Sequence, residues 1–215
     1  MVDYESLKAR VQELAEREWD MEAIVARYRK MAEEGIPRKA LSPEEALASK
    51  EQILERVQQR AEEYNFLARN CAKGTALALL EEFGLGNLEI IQALSPFPGF
   101  GGTGWMCGAV TGGLIALGLY FGSQDVLNYA ATRAAIQAAR EFMPRFQVTV
   151  GSVLCPEIQE KVIFGRYMDP AASQENMAAF AAAKGFEKCS LLPGIGARIA
   201  AEVIIESMRR NHLLR

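Results

Sequence analysis

The stretch FGGTGWMCGAVTGG (residues 100–113) sets a cysteine among glycines, small residues and two aromatics, then runs into the apolar LIALGLYF of residues 114–121. Glycine loses the most backbone entropy on folding, and a thiol is reactive when exposed, so both choices carry a cost that something must offset. The continuous apolar part, from Trp105 to Phe121, is short for a bilayer crossing of about 20 residues. It has no polar stripe either, which predicts a helix buried in a core with other helices around it. The breaks Ser95-Pro96, Pro98-Gly99 and Gly101-Gly102 put a Pro/Gly loop before it.

Working toward the N-terminus, Asn70 to Phe83 reads as a helix stopped by Gly84, and Asn87 to Leu94 as a shorter one. Before these, apolar residues recur at helical spacing from Tyr4 to Glu34 with an interruption near Asp20, and Gly35-Ile36-Pro37 ends the run. Ser42, Pro43 and Glu45 then supply an N-cap, a first helical position and a capping box for a helix continuing toward Leu67. Residues 1–66 are therefore expected to form a charged helical hairpin extension, and residues 67–215 a four-cysteine redox domain. Toward the C-terminus, Ser123 or Asp125 suits the cap of an alanine-rich helix running to Pro144. FQVTVGSV (146–153) alternates β-branched residues, and strand, extended linker and helix all stay open for it. Residues 156–164, 173–184 and 197–210 complete a mainly α, multi-helix bundle.

The 215 residues are half hydrophobic, enough to bury one sizeable core. A net charge of −3 gives no basic field that would favour nucleic acid or an anionic membrane. MVDYESLKAR lacks the pattern of a secretory leader, so a cytoplasmic protein without a membrane span is expected.

The four cysteines, Cys71, Cys107, Cys155 and Cys189, contain no CxxC pair, which argues against a zinc-ribbon knuckle or a thioredoxin motif. What they share is a place near a predicted helix start. Helix N-termini carry unsatisfied N–H groups and about half a positive charge, which favours thiolate over thiol. If the four ends converge, the bundle is built around an anion site suited to an iron–sulfur cluster. Glycines 99, 101, 102, 104, 108, 112 and 113 would let backbone approach the sulfurs, Gly104 and Gly108 most directly. A closed zinc site, a metal-free pair of disulfides and plain core packing are the alternatives.

CGAVTG (107–112) and NCAKG (70–74), followed in order by LCPEI (154–158) and KCSLL (188–192), resemble the cysteine elements of the redox-active family C_GCAxxG_C_C over about residues 66–205. That family is similar to the C-terminal part of split-Soret cytochromes c, whose cysteines are associated with an iron–sulfur centre. The resemblance implies a redox role, with Cys71, Cys107, Cys155 and Cys189 as ligands of a 2Fe–2S cluster. The chain departs from the pattern where Met106-Cys107-Gly108-Ala109 replaces Gly-Cys-Ala. It also has no CxxCH and only one histidine, His212, so covalent haem is not carried over.

Other features receive secondary readings. LLPGIGARIAAEVI (191–204) looks like the hairpin of helix-hairpin-helix modules, with Arg198, Arg209 and Arg210 nearby, although the acidic total and single copy weigh against nucleic acid. A hydrolytic pair would have to use His212. Glu33-Glu34 and Glu81-Glu82 read as solvated carboxylates, Phe100 and Trp105 as shields for a centre, and Lys73 and Lys188 as tuners of its charge. A redox partner protein and a homodimer, the latter through residues 1–66, are the expected associations.

Overall fold

Three side chains start helices where the local chemistry asks for it. Asn70 and Asn87 cap with their own carboxamides, and Ser42 closes a full capping box with Glu45. The computed structural model describes residues 2–39 and 41–213, with side chains through Arg210, and it contains no strand among them. The N-terminal part is α1 (Tyr4–Glu16), α2 (Met21–Glu34), α3 (Pro43–Ala48) and α4 (Lys50–Ala68). Next come α5 (Cys71–Phe83), α6 (Leu88–Ala93) and α7 (Gly99–Gly102), a single irregular turn in which Phe100 and Gly101 leave helical φ/ψ. The remainder is α8 (Gly108–Phe121), α9 (Tyr129–Val150), α10 (Cys155–Ile158) running into a π-turn (Gln159–Ile163), α11 (Gln174–Ala182), α12 (Gly185–Lys188) and α13 (Leu191–Leu213).

At the centre α5 packs against α4, α8 and α13. Eleven residues of α5 are buried, from Ala72 to Phe83: nine are apolar or small, and Glu81 and Glu82 are paired with Tyr64, Arg56 and Arg60. Small residues let the helices close in. A Cβ on Gly112 would fall 2.4 Å from the Ala72 carbonyl oxygen, and one on Gly196 3.0 Å from that of Ala109. Val11, Leu14 and Ile53 from the N-terminal helices belong to the same buried cluster as Leu77, Val110 and Ile204. No helix among the described residues is long and apolar enough to cross a membrane.

One segment left open is decided and two readings change. Residues 146–150 are helical, since α9 passes through exposed Pro144 to reach Val150; Phe142, Phe146 and Val150 recur every four residues on its buried face, and that packing outweighs β-branching. The cap of α9 is Asn128, while Ser123 and Asp125 accept amide bonds in the preceding turn. Residues 191–204 lie within the single helix α13, so the turn that a helix-hairpin-helix requires is absent. Gly194 and Gly196 face Glu62 and Ala109 of neighbouring helices and present no open phosphate cradle.

Candidate functional site

The site begins at Asn70. Its Oδ1 accepts the amides of Ala72 and Lys73 at 3.1 and 3.0 Å, and its Nδ2 donates to the Ser95 carbonyl at 3.2 Å. The start of α5 is thereby tied to the segment leading into the glycine loop. Cys71 is the first residue of α5, with Cys107 and the start of α8 at Gly108 beside its sulfur. Gly108 is required there, because a Cβ would lie 2.3 Å from the Cys71 Sγ.

Cys107 and Cys155 are set in register by a short backbone ladder. The Cys107 amide donates to the Val153 carbonyl at 2.9 Å and the Cys155 amide to the Trp105 carbonyl at 2.8 Å, framing the antiparallel bridge Met106–Leu154. The loop reaches this ladder through left-handed backbone at Phe100, Gly101, Gly102 and Gly104. Cys155 opens α10, and its Sγ accepts from Gln159 Nε2 at 3.5 Å. Cys189 caps the end of α12 and, as expected, stands just before a helix start, two residues ahead of α13. Asn65 steadies that junction by donating to Ser190 Oγ at 2.8 Å and to the Phe186 carbonyl at 3.1 Å.

Cys71, Cys155 and Cys189 line one cavity of about 130 Å³, together with Gly99, Gly102 and Gly104. Cys107 lies outside the lining and reaches the group through Cys71. No group of three or more His, Cys, Asp or Glu side chains among the described residues is spaced to hold a metal ion. Their surroundings separate the thiols. The Cys107 S–H and the backbone amides of Gly108, Cys71 itself and Gly99 hold Cys71 below its ordinary value against burial, while Cys107 is driven well above by Cys71 and by burial. Burial pushes Cys155 up to about 11, and raises Cys189 well above the usual range with Cys155 and Cys71 adding to it. Lys188 partly offsets the shift of Cys189, and no such effect involves Lys73.

The donor set is made of thiols: three face the cavity and the fourth adjoins Cys71, with a carboxamide donor at Cys155 and glycines where side chains would fill the space. Residues that sequence reasoning missed are Asn65, Arg69, Gln159, Tyr167 and Asp169 on the cavity wall. They come from α4, the π-turn and an irregular loop, and no local pattern marks them. Phe100 and Trp105 are no shield, being 46% and 61% exposed. Glu81 and Glu82 are buried, not solvated. Glu81 accepts from the Tyr64 hydroxyl at 2.7 Å, and Glu82 pairs with Arg56 and Arg60. The side chain of His212 lies outside the described residues.

No curated protein and no solved structure matches the chain. A family model does match, over residues 69–203, more than half of the length and all four cysteines. Through that match the chain belongs to the family described as "Putative redox-active protein (C_GCAxxG_C_C)".

Proposed function

We propose that the protein transfers single electrons, or senses redox state, through an iron–sulfur cluster of the 2Fe–2S type held by Cys71, Cys107, Cys155 and Cys189. The observation that carries this reading is the gathering of sulfurs: three face one cavity and the fourth rests against the first. When bound, such a cluster supplies one-electron chemistry at a potential set by its ligands and by hydrogen bonds to sulfur. The chain's own part is to hold and tune those ligands. Gly99 and Gly108 direct amides at the Cys71 sulfur, which favours its anionic form. Phe180 and Phe186, packed edge to face at 5.2 Å, restrict water on one wall, and Arg69 stacks on Phe186 at 5.0 Å.

The test is anaerobic purification followed by iron, zinc and acid-labile sulfide analysis with electron paramagnetic resonance. Iron and sulfide in equal amounts with a reduced-state signal support the reading. Zinc without sulfide replaces it with a structural metal site. A second reading, a metal-free thiol–disulfide protein, draws on the contact between Cys71 and Cys107. It predicts neither metal nor sulfide, and a reversible Cys71–Cys107 bond on peptide mapping.

A further inference from the structure

Residues 164–173 join the π-turn to α11 without regular structure. Tyr167, Asp169, Pro170 and Ala171 of this segment form part of the wall of the cysteine cavity. The segment leans on the glycine loop: a Cβ on Gly104 would come within 2.7 Å of the Tyr167 hydroxyl, and one on Gly102 within 3.2 Å of the Ala171 Cβ. A polar tie also joins it to the cavity floor, where the Met168 amide donates to Gln159 Oε1 at 2.8 Å.

That bond settles which way the carboxamide points. With the oxygen engaged by Met168, Nε2 is the end facing the Cys155 Sγ at 3.5 Å. Gln159 is 4% exposed, so leaving either end of its amide without a partner would be costly. It is also the first residue of the π-turn, whose closing bond runs from the Phe164 amide to the Gln159 carbonyl at 2.7 Å. A π-turn interrupts regular helix and is frequently found at functional sites. Here it sets a buried amide between a sulfur and a loop.

We propose that Gln159 is a positioning residue that couples the 164–173 segment to the Cys155 sulfur. While the sulfur accepts from Nε2, the amide is held so that Oε1 keeps Met168, and with it the segment, over the cavity. The coupling is reciprocal. A partner protein that lifts the segment frees the amide and withdraws a donor from the sulfur. For a bound cluster this removes stabilisation of the more negative, reduced state and moves the potential downward. That last consequence rests on the iron–sulfur reading; the coupling itself does not.

The experiment is a double-mutant cycle on the full chain, reduced and metal-free: wild type, Gln159→Met, Cys155→Ala and the double variant. Amide hydrogen exchange is followed at residues 165–170, with thermal melting to show that each variant folds. Each single substitution is expected to speed exchange at Met168 by roughly tenfold, with the double variant no faster than the quicker single one, because both break one chain of bonds. No change in Cys155→Ala, or a double variant in which the two factors multiply, overturns the coupling. Should Gln159→Met fail to fold, Gln159→Asn, whose shorter amide cannot span both partners, takes its place. In iron-loaded protein either Gln159 variant is expected to show a more negative midpoint potential; an unchanged potential also counts against the proposal. If wild type takes up no iron, the cluster reading fails while the exchange cycle still decides the role of Gln159.

Discussion

Gly108 stands where any side chain would strike Cys71: a Cβ there would lie 2.3 Å from the sulfur and 2.9 Å from the Ala72 amide nitrogen. Gly118, further along the same helix, has nothing within 4 Å of the equivalent position. The two glycines therefore predict opposite outcomes. Gly108→Ala should cost about 1–3 kcal/mol, as overpacking does, and should reduce iron retention. Gly118→Ala should gain about 0.5–1 kcal/mol through helix propensity alone. Urea unfolding of both variants measures this, and equal effects would mean that α5 and α8 are not held at this contact.

Asn70 acts on both sides of the site, capping α5 below Cys71 and holding the Leu94 and Ser95 carbonyls that lead into the glycine loop. Replacement by Asp keeps the cap and loses the second pair of bonds, whereas Ala loses both. Asn70→Ala is expected to cost about 2–3 kcal/mol, the sum of a cap and buried unsatisfied carbonyls, and Asn70→Asp less. Chemical denaturation orders the two, and an Asp variant as unstable as Ala would place the contribution in the loop, not the cap.

Glu82 sits almost wholly buried between Arg56 and Arg60, with its Oε1 2.6 Å from Arg56. Burial alone would raise its pKa, but the Arg56 hydrogen bonds overcome that and hold it below the ordinary 4.5. Its contribution to stability is therefore complete above that value and is lost as pH falls through the folded-state pKa. Arg56→Met should cost about 1–3 kcal/mol at pH 7, because Glu82 loses its closest hydrogen-bonding cation and keeps Arg60 and the charge of Lys39, and Glu82→Gln in that background should recover part of it. Melting from pH 7 to pH 3 should show a shallower acid loss in Glu82→Gln than in wild type; parallel curves would assign the acid limb to other carboxylates.

Helix starts were legible because capping is local: Ser42, Asn70 and Asn87 each bond an amide two or three residues ahead. Pairing between distant segments left no such trace. The ladder joining Trp105–Cys107 to Val153–Cys155 and the tie between Gln159 and Met168 depend on where helices place two loops. Pro144 shows the opposite error, a local signal overruled by packing. Proline suggests a helix end, yet Phe142 and Phe146 on either side are fully buried, and α9 continues through it. Pro144→Ala should therefore stabilise the protein, by about 1–3 kcal/mol, through the amide bond and backbone fit regained. A lowered melting temperature would show that Pro144 is accommodated by a bend that the fold needs.

The thiols themselves give the last test, since their surroundings rank them by reactivity. In reduced, metal-free protein Cys71 is partly exposed and held below its ordinary value, whereas Cys107 is buried and pushed well above it by the same contact. Thiolate is the reactive form, so Cys71 should be alkylated first by iodoacetamide at pH 7.5, with Cys107 far behind. Cys155, pushed up to about 11 mainly by burial, should react slowly at that pH and continue to gain rate beyond pH 10, after Cys71 has reached its plateau. Mass spectrometry of timed digests reads all four rates. If Cys107 outruns Cys71, the proton between them is shared the other way, and the amides of Gly99 and Gly108 do not stabilise the sulfur they face.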